Sequence, residues 1–214
     1  MVSKETFQAK FWSTEFGNSF TDRNNFSTVE SVDMDYKNRS GVTRREMNRE
    51  FLSGLPKDAR ILEIGANMGA QLAALQADGF TGLYGVDINE RAIEISKKTF
   101  EKLNIIKGNA FDLPFKDGSF DLVFTSVVLI HIHPKDHETV MREIHRVSRR
   151  YIWGYEYYAP ALTEITYRGN TNVCWKTDFK QRYLDLFPGL KVVKVKDYPY
   201  LHENNRDQMF LLEK

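Results

Sequence analysis

Two acids and two glycines mark where chemistry can gather in this chain. The run Arg60-Ile61-Leu62-Glu63-Ile64-Gly65-Ala66-Asn67-Met68-Gly69 ends an apolar stretch in an acid and turns at once on glycine. A second apolar run, Gly82-Leu83-Tyr84-Gly85-Val86-Asp87, ends in another acid 24 positions after Glu63. Strand, glycine turn and helix is how an α/β protein brings backbone close to a nucleotide-like ligand. Gly65 and Gly69 allow close approach and positive φ there, and an acid at the second strand end suits ribose hydroxyls. A strand-end acid paired with a surface lysine is the structural alternative for either acid alone. The two acids, the glycine turn and the βαβ context together predict a nucleoside-containing cofactor. The glycines are spaced G-x-x-x-G, with Asn67 where a middle glycine often stands. A dinucleotide fingerprint reads G-x-G-x-x-G and holds a pyrophosphate at the helix N-terminus. An acid just ahead of the turn suits a cationic or ammonium-bearing ligand better.

A second group of candidates follows the fourth apolar run. His131 is either a core-edge or capping histidine or a general base, since an unperturbed imidazole titrates near neutral pH. His133 reads as the cap of a helix beginning at Pro134. Glu156 is the second candidate base. Tyr157 and Tyr158 either bind an acceptor or belong to the core. Tyr167, Arg168, Trp175 and Lys176 lie in a long stretch without period. Arg168 can make a two-pronged contact with a carboxylate or phosphate, or be a solvated loop cation; Lys176 reads as a solvated cation. The single cysteine, Cys174, has no partner at metal-ligand spacing, so no metal site is expected.

The elements that must position these groups are predicted from pattern. Residues 1–28 crowd Phe7, Phe11, Trp12, Phe16, Phe20 and Phe26 among polar residues, with i, i+4 spacing that puts the rings on one helix face, interrupted at Gly17-Asn18. This segment is a helix packed on the core or a lid over the pocket. Arg23-Asn24-Asn25 ends it with polar groups that can reach a carboxylate. Residues 29–41 read as a polar connection, and 42–52 as a helix stopped by Gly54 and Pro56. Strands are predicted at 60–64, 82–87, 105–107, 120–125, 151–156, 190–195 and 209–212. Helices are predicted after the glycine turn up to Asp78-Gly79, over 90–103 with Asn89 as N-cap, from Pro134 to Arg149, and over 178–187. The long loop spans 157–176. Alternating strands and helices give a mostly parallel α/β sheet with helices on both faces and an antiparallel C-terminal edge.

The totals bound the function. The 214 residues suit one domain with an added flap, here 1–41 as the lid, 42–156 as the cofactor-binding core, 157–176 as the acceptor loop and 177–214 as the C-terminal helix and strands. Hydrophobic content is 42%, charged content 28% and formal net charge +1, so nothing points to a nucleic-acid or membrane surface. One cysteine permits no intrachain disulfide and fits a reducing compartment. The segment Met1–Glu5 is polar, without an apolar signal core, and no apolar run is long enough to span a bilayer. A cytoplasmic protein acting on a small molecule is the expectation; the oligomeric state is open.

At this point the chain resembles the class I S-adenosylmethionine-dependent methyltransferases. The residues that carry the resemblance are the turn 63–69, Asp87, Asn109-Ala110-Phe111-Asp112-Leu113-Pro114-Phe115 and Gly118-Ser119-Phe120-Asp121-Leu122-Val123, over roughly 58–156. More narrowly, the chain is similar to methylases associated with pseudaminic-acid biosynthesis. The segments are F-W-x-x-E-F-G at Phe11 to Gly17 with Arg23-Asn24, Val128 to Ile132, Arg146 to Ile152, Glu156 to Pro160, Tyr167 to Gly169 and the final Phe210 to Lys214, nearly the whole chain.

The resemblance implies a Rossmann-like seven-stranded sheet, S-adenosyl-L-methionine as cofactor, and polysaccharide biosynthesis as context. It implies that Gly65, Asn67 and Gly69 line the methionine part, with Glu63 under its amino group. Asp87 and Ile88 would stand at the ribose, Asn109, Ala110 and Phe111 around the base, and Thr125, Ser126 and Val127 toward the sulfonium. Arg23 would reach the cofactor carboxylate from the lid. Asn109 replaces a frequent aspartate, and its amide oxygen accepts the same hydrogen bond. The implied reaction is in-line methyl transfer to an oxygen or nitrogen of a sugar or nonulosonate, or its nucleotide-linked form. His131 or Glu156 would take the proton, and Tyr157, Tyr158, Tyr167 and Arg168 would hold the acceptor. Methylation of another small metabolite, a cofactor-binding scaffold without turnover, and a dehydrogenase are the alternatives.

Overall fold

The computed structural model describes residues 5–24, 26–100 and 102–214. The expectations placed on Met1 to Lys4 and on Asn25 lie outside the described residues, as does Glu101 of the helix expected over 90–103.

The aromatic N-terminal segment forms two helices, α1 (Phe7–Ser13) and α2 (Glu15–Arg23). Thr6 caps α1 by accepting from the Ala9 amide. The break falls at Thr14 and not at Gly17-Asn18, which lie inside α2. Gly17 is there for closeness: a Cβ at this position would stand 1.8 Å from the Trp12 carbonyl oxygen. Residues 29–41 are not a connection. Val29–Ser40 form α3. Thr28 and Ser31 make a reciprocal capping box, and Gly41 at φ 79° closes the helix. Its apolar stripe is only Val29, Val32 and Tyr36, too narrow to stand out among polar neighbours. Helix α4 (Arg44–Leu52) starts on a second capping box, Thr43 with Glu46.

The βαβ series then follows the predicted order. It runs β1 (Arg60–Ile64), α5 (Ala70–Ala77), β2 (Gly82–Asp87), α6 (Glu90–Thr99), β3 (Asn104–Lys107) and β4 (Phe120–Ser126). Helix α6 stops at Phe100, short of Leu103. Pro134–Asp136 form a 3-10 turn and α7 is His137–Val147, so the predicted helix ends two residues early. Ser148 and Arg149 already belong to β5 (Ser148–Tyr157). The long loop contains a two-residue ladder, β6 (Thr163–Glu164) with β7 (Trp175–Lys176). Asp178 caps α8 (Phe179–Leu186) by accepting from Gln181. The chain closes with β8 (Lys191–Pro199) and β9 (Arg206–Glu213).

The sheet has seven strands in the order β3-β2-β1-β4-β5-β9-β8. Strands β1 to β5 are parallel, and β9 runs antiparallel to both β5 and β8. One face is covered by α3 to α6, with Met47, Phe51, Leu72 and Ile93 packed on the Ile61, Leu122 and Phe124 side. The other is covered by α7 and α8, with Val140, Ile144, Phe179 and Tyr183 on the Leu62, Val123 and Ile152 side. Burial on both faces is why the central strands read as continuous apolar runs. No helix of the described residues is long and apolar enough to cross a membrane.

A close seam lies between β5 and β9. Gly154 pairs with Phe210, and a Cβ on it would lie 2.2 Å from the Phe210 ring. Phe210 is itself 1% exposed and has nowhere to swing. Gly154→Ala is expected to cost about 1–3 kcal/mol as overpacking, read as a lower urea midpoint at unchanged m-value; an unchanged midpoint refutes the seam.

Candidate active site

The strand order reverses between β1 and β4, and the crevice at the C-terminal ends of the strands opens there. It is a cavity of about 370 Å³, walled by the β1 turn, the end of β2, the 108–111 segment, the end of β4, α3, and α1–α2 above. The roof is fastened by polar bonds to the floor. Asn89 Nδ2 donates to the Trp12 carbonyl and to Asn18 Oδ1, each at 3.0 Å. Asn67 Nδ2 donates to Thr21 Oγ1 at 2.9 Å, and Gln8 Nε2 donates to the Asn172 carbonyl at 3.0 Å. Rings complete the roof: Trp12 lies 4.4 Å from His131, and Tyr167 lies 4.8 Å from His131.

The floor is the β1 turn. Gly65 has φ 70°, and a Cβ there would meet Val128 Cγ2 at 2.6 Å, so glycine is needed where the β4 loop crosses. Asn67 takes φ 48°, a left-handed conformation that asparagine tolerates. That explains how the turn closes without a middle glycine. Val127 stands at φ 59°. For a β-branched residue this is a strained conformation of the kind stored at functional sites.

Two acids face this floor. Glu63 is 2% exposed; its carboxyl is hydrogen-bonded by the Leu72 amide at the start of α5, and burial raises its pKa well above the usual carboxylate range. Its Oε2 has no partner among the described residues, and neither does Gln71 Oε1, also on the cavity wall. Asp87 accepts from the Asn67 amide at 2.6 Å and the Asn89 amide at 2.7 Å. Burial still raises its pKa, with those amides pulling against the rise.

His131 is 8% exposed and lines the cavity. Its Nδ1 lies 2.8 Å from the Val173 carbonyl oxygen, which only accepts. Nδ1 therefore carries the proton, and in the neutral ring Nε2 is left as an acceptor. Burial holds the imidazole pKa down at about 4.

Residues 62–151 match the family described as a methyltransferase domain. Over this stretch, which runs from β1 into β5, the chain is similar to methyltransferases. A demethylmenaquinone methyltransferase of Bacillus licheniformis is 28% identical over 174 residues, 73% of this chain and 66% of that protein. The chain spans about half the length of the curated relatives it matches. A 1,6-didemethyltoxoflavin-N1-methyltransferase of Burkholderia thailandensis, solved with 1,6-didemethyltoxoflavin and S-adenosylhomocysteine bound, superposes with a TM-score of 0.66. It is 15% identical, over 94% of this chain and 90% of that one. A [4+2]-cyclase, SpnF, superposes at 0.63 with 12% identity, over 79% of both chains. Identities this low establish the fold, which hosts more than one chemistry.

S-adenosyl-L-methionine is the cofactor of such a domain, and the cavity fits it. An ammonium group would supply the donor that Glu63 Oε2 and Gln71 Oε1 lack. Three backbone amides, of Asn89, Asn67 and Ile88, bond the Asp87 carboxylate, which leaves it one acceptor position for a ribose hydroxyl. Ile88, Ala110 and Phe111 give the cavity an apolar wall for a base. Asn109 also lines the wall, though its Oδ1 already accepts from the Phe111 amide at 3.1 Å.

The cavity brings together Glu63, Gly65, Asn67, Asp87, Ile88, Asn109, Ala110, Phe111, Ser126, Val127, His131, Tyr157, Tyr167 and Arg168. Five expected residues stand elsewhere. Arg23 is exposed, with its guanidinium 5.8 Å over the Phe16 ring, because it ends α2 on the outer side. Gly69 has φ 87° but faces Leu103 and Ile105, so it serves packing on β3. Tyr158 turns away; its amide donates to Arg206 and the Arg206 guanidinium covers its ring. Thr125 and Glu156 lie behind the wall. Glu156, 1% exposed, is hydrogen-bonded by Thr125 and accepts from the Val128 amide at 3.2 Å and the Ile130 amide at 3.4 Å. Burial raises its pKa to about 7 against those donors. It holds the loop that carries His131.

The largest omission from the sequence reading is Arg44, which is completely buried. It donates to Asn48, Tyr36 and Ser126 and is caged by the rings of Tyr36, Trp153 and Tyr155 at 4.9–5.2 Å. Its Nη2 has no partner among the described residues, and its charge acts on Glu63. The available signal was spacing: Arg44, Met47, Asn48 and Phe51 form one i, i+3, i+4, i+7 stripe, with a charge inside an apolar face.

Two outcomes test the arrangement. Burial raises the pKa of Glu63, and an ammonium bound beside it would lower that pKa again. Binding of S-adenosylhomocysteine should thus release protons and tighten as pH rises, as seen by calorimetry in buffers of different ionisation enthalpy. Glu63→Gln should abolish the release and weaken binding by roughly 10- to 100-fold, the scale of one charged hydrogen bond; retained affinity overturns the assignment. Glu156→Gln replaces an acceptor by a donor beside two amides. It should lower stability by about 1–3 kcal/mol, with amide shift changes at Val128 to His131 and cofactor affinity retained.

Proposed function

We propose that the chain is a methyltransferase acting on a small polar acceptor, a sugar or nonulosonate of the pseudaminic-acid type or its nucleotide-linked form. The observation that carries the reaction is His131, a buried imidazole with one nitrogen committed to Val173 and the other left as an acceptor on the cavity wall. Bound in this cavity, S-adenosyl-L-methionine supplies an electrophilic methyl group for an acceptor oxygen or nitrogen.

The chain's own work is alignment and exclusion of water. Trp12, Tyr167 and His131 form the roof at the acceptor end, and the polar fastenings of α1–α2 keep it down. His131 Nε2 receives the hydrogen bond of the acceptor's O–H or N–H and aims the lone pair of that atom. A base with pKa about 4 does not ionise a hydroxyl in advance. It takes the proton as the acceptor atom becomes acidic during transfer, which is where general-base assistance counts. The sugar reading rests on the sequence resemblance at both ends of the chain. The chain's relatives include a demethylmenaquinone methyltransferase and an O-methyltransferase by name, so another small metabolite is the second reading.

A panel of nucleotide sugars, sialic-acid-like acids and demethylated quinones, incubated with S-adenosyl-L-methionine and read by product mass, separates the two. His131→Ala is expected to lower turnover at least ~100-fold, as loss of general-base assistance does, with S-adenosylhomocysteine affinity unchanged. Because the neutral imidazole is the active form, wild-type turnover should stay flat from about pH 8 down to about pH 5.5 and fall only toward the imidazole pKa. A midpoint near 6.5, the unperturbed value, would sink the role given to the buried tautomer.

A further inference from the structure

Beyond Tyr157 and Tyr167 lies a second cavity, of about 450 Å³. Three of its lining residues, Arg39, Tyr157 and Tyr167, also line the first, so the two cavities adjoin at those side chains. Its character is different. Arg39, Lys176, Tyr200 and Asn205 present polar groups here, whereas the two strand-end acids, Glu63 and Asp87, line only the first cavity.

Lys176, expected to be a solvated loop cation, is half-buried on β7. Its Nζ donates to Asn205 Oδ1 and lies 5.8 Å over the Tyr157 ring. Among the described residues it makes no ion pair. An ammonium taken partly out of water without a counter-charge is costly. Arg39 bonds Asp35 at 2.6 Å through Nη2 and is stacked on Tyr36 at 5.2 Å and Tyr200 at 5.6 Å. The stacking fixes the guanidinium plane, and among the described residues Asp35 is the hydrogen-bond partner of the fork. Glu203 is the acid on this lining, and it is exposed to solvent. Asp207, nearby and buried, is occupied by the Tyr200 hydroxyl at 3.0 Å.

We propose that the acceptor carries one compact anionic group, a carboxylate or a phosphate ester, seated in this second cavity between Arg39 and Lys176, while its methylated hydroxyl or amine reaches past Tyr157 and Tyr167 to His131. This rests on the methyltransferase reading and narrows its substrate class to acids. The two phenol rings set the distance between the anion and the reacting atom. An uncharged analogue of the same shape leaves Lys176 without a partner and is bound less well, which is how a site that buries a charge rejects neutral competitors.

The test uses the full chain loaded with S-adenosylhomocysteine. Sodium acetate and inorganic phosphate are titrated in, with sodium chloride as the control, and the backbone amides of Lys176 and Asn205 are followed by NMR. Saturable shifts are expected with acetate or phosphate and not with chloride; the probe that saturates first identifies the group. In Lys176→Met the half-saturation concentration should rise at least ~10-fold, the scale of one charged hydrogen bond. Lys176→Arg should restore it, and S-adenosylhomocysteine affinity should be the same in all three proteins. Arg39→Gln provides a second variant should Lys176→Met fold poorly. No saturation with either anion, or equal saturation in a folded Lys176→Met, overturns the proposal. Failure of the wild-type chain to bind S-adenosylhomocysteine strikes the methyltransferase reading instead, so the two failures are distinct.

Discussion

Burial of two carboxyl groups at the ends of adjacent parallel strands is the constraint on which this site depends. A carboxyl taken out of water must be hydrogen-bonded or neutralised. Asp87 meets the demand with amides from Asn67 and Asn89, and both donors exist only because the β1 turn and the cap of α6 converge on it. Glu63 meets it in part: one amide from the start of α5, the field of Arg44, and one oxygen without a partner. The glycine turn, the left-handed Asn67 and the tight crossing of Val128 over Gly65 are what allow the backbone to reach these positions. The unfilled half of Glu63's demand is where a cationic ligand would gain affinity.

The roof follows from the same floor. Asn67 and Asn89 each use the backbone amide for Asp87 and the side chain for the roof, through Thr21 in one case and Trp12 and Asn18 in the other. Seating of α1–α2 is thus tied to the geometry around Asp87. A displaced Asp87 loosens Trp12, and Trp12 packs on His131. Cofactor end and acceptor end are linked through two asparagines rather than through the sheet. Arg44 adds a second link from below: it holds Ser126 at the end of β4 while its charge acts on Glu63.

The sequence made the sheet legible because its central strands are buried on both faces and end in acids or turns. The order of βαβ units, Asn89 as a cap and the antiparallel C-terminal pair were all readable from local pattern. What escaped was decided by tertiary contacts. Helix α3 has an apolar stripe of only three residues and is fixed by caps at both ends, so its polar text reads as a connection. Arg44 escaped because a buried arginine makes sense only with the three rings around it, and those come from α3 and β5. Arg23, Gly69 and Thr125 were expected at the site from the resemblance, and Glu156 and Tyr158 from their place at the end of a strand. Strand-end position brings a residue near the cavity, but alternation along the strand decides which side chains face it. Glu156 and Tyr158 fall outside it where Tyr157 between them lines it.

The charges of the site are divided along its length. Acids gather at the floor, where Glu63 and Asp87 stand at strand ends, and cations gather past Tyr157 and Tyr167, where Arg39 and Lys176 stand on α3 and β7. A cationic methyl donor and an anionic acceptor would each find the opposite charge at its own end. They would meet at a middle stretch that is aromatic and uncharged once His131 is held neutral by burial. That neutrality has a use. A charged imidazole beside a sulfonium would repel it, whereas the neutral ring, locked by Val173, leaves the field between the two ends undisturbed and keeps a lone pair toward the reacting atom. The low imidazole pKa is therefore consistent with the chemistry, and the same burial that weakens His131 as a base makes it compatible with a positively charged neighbour.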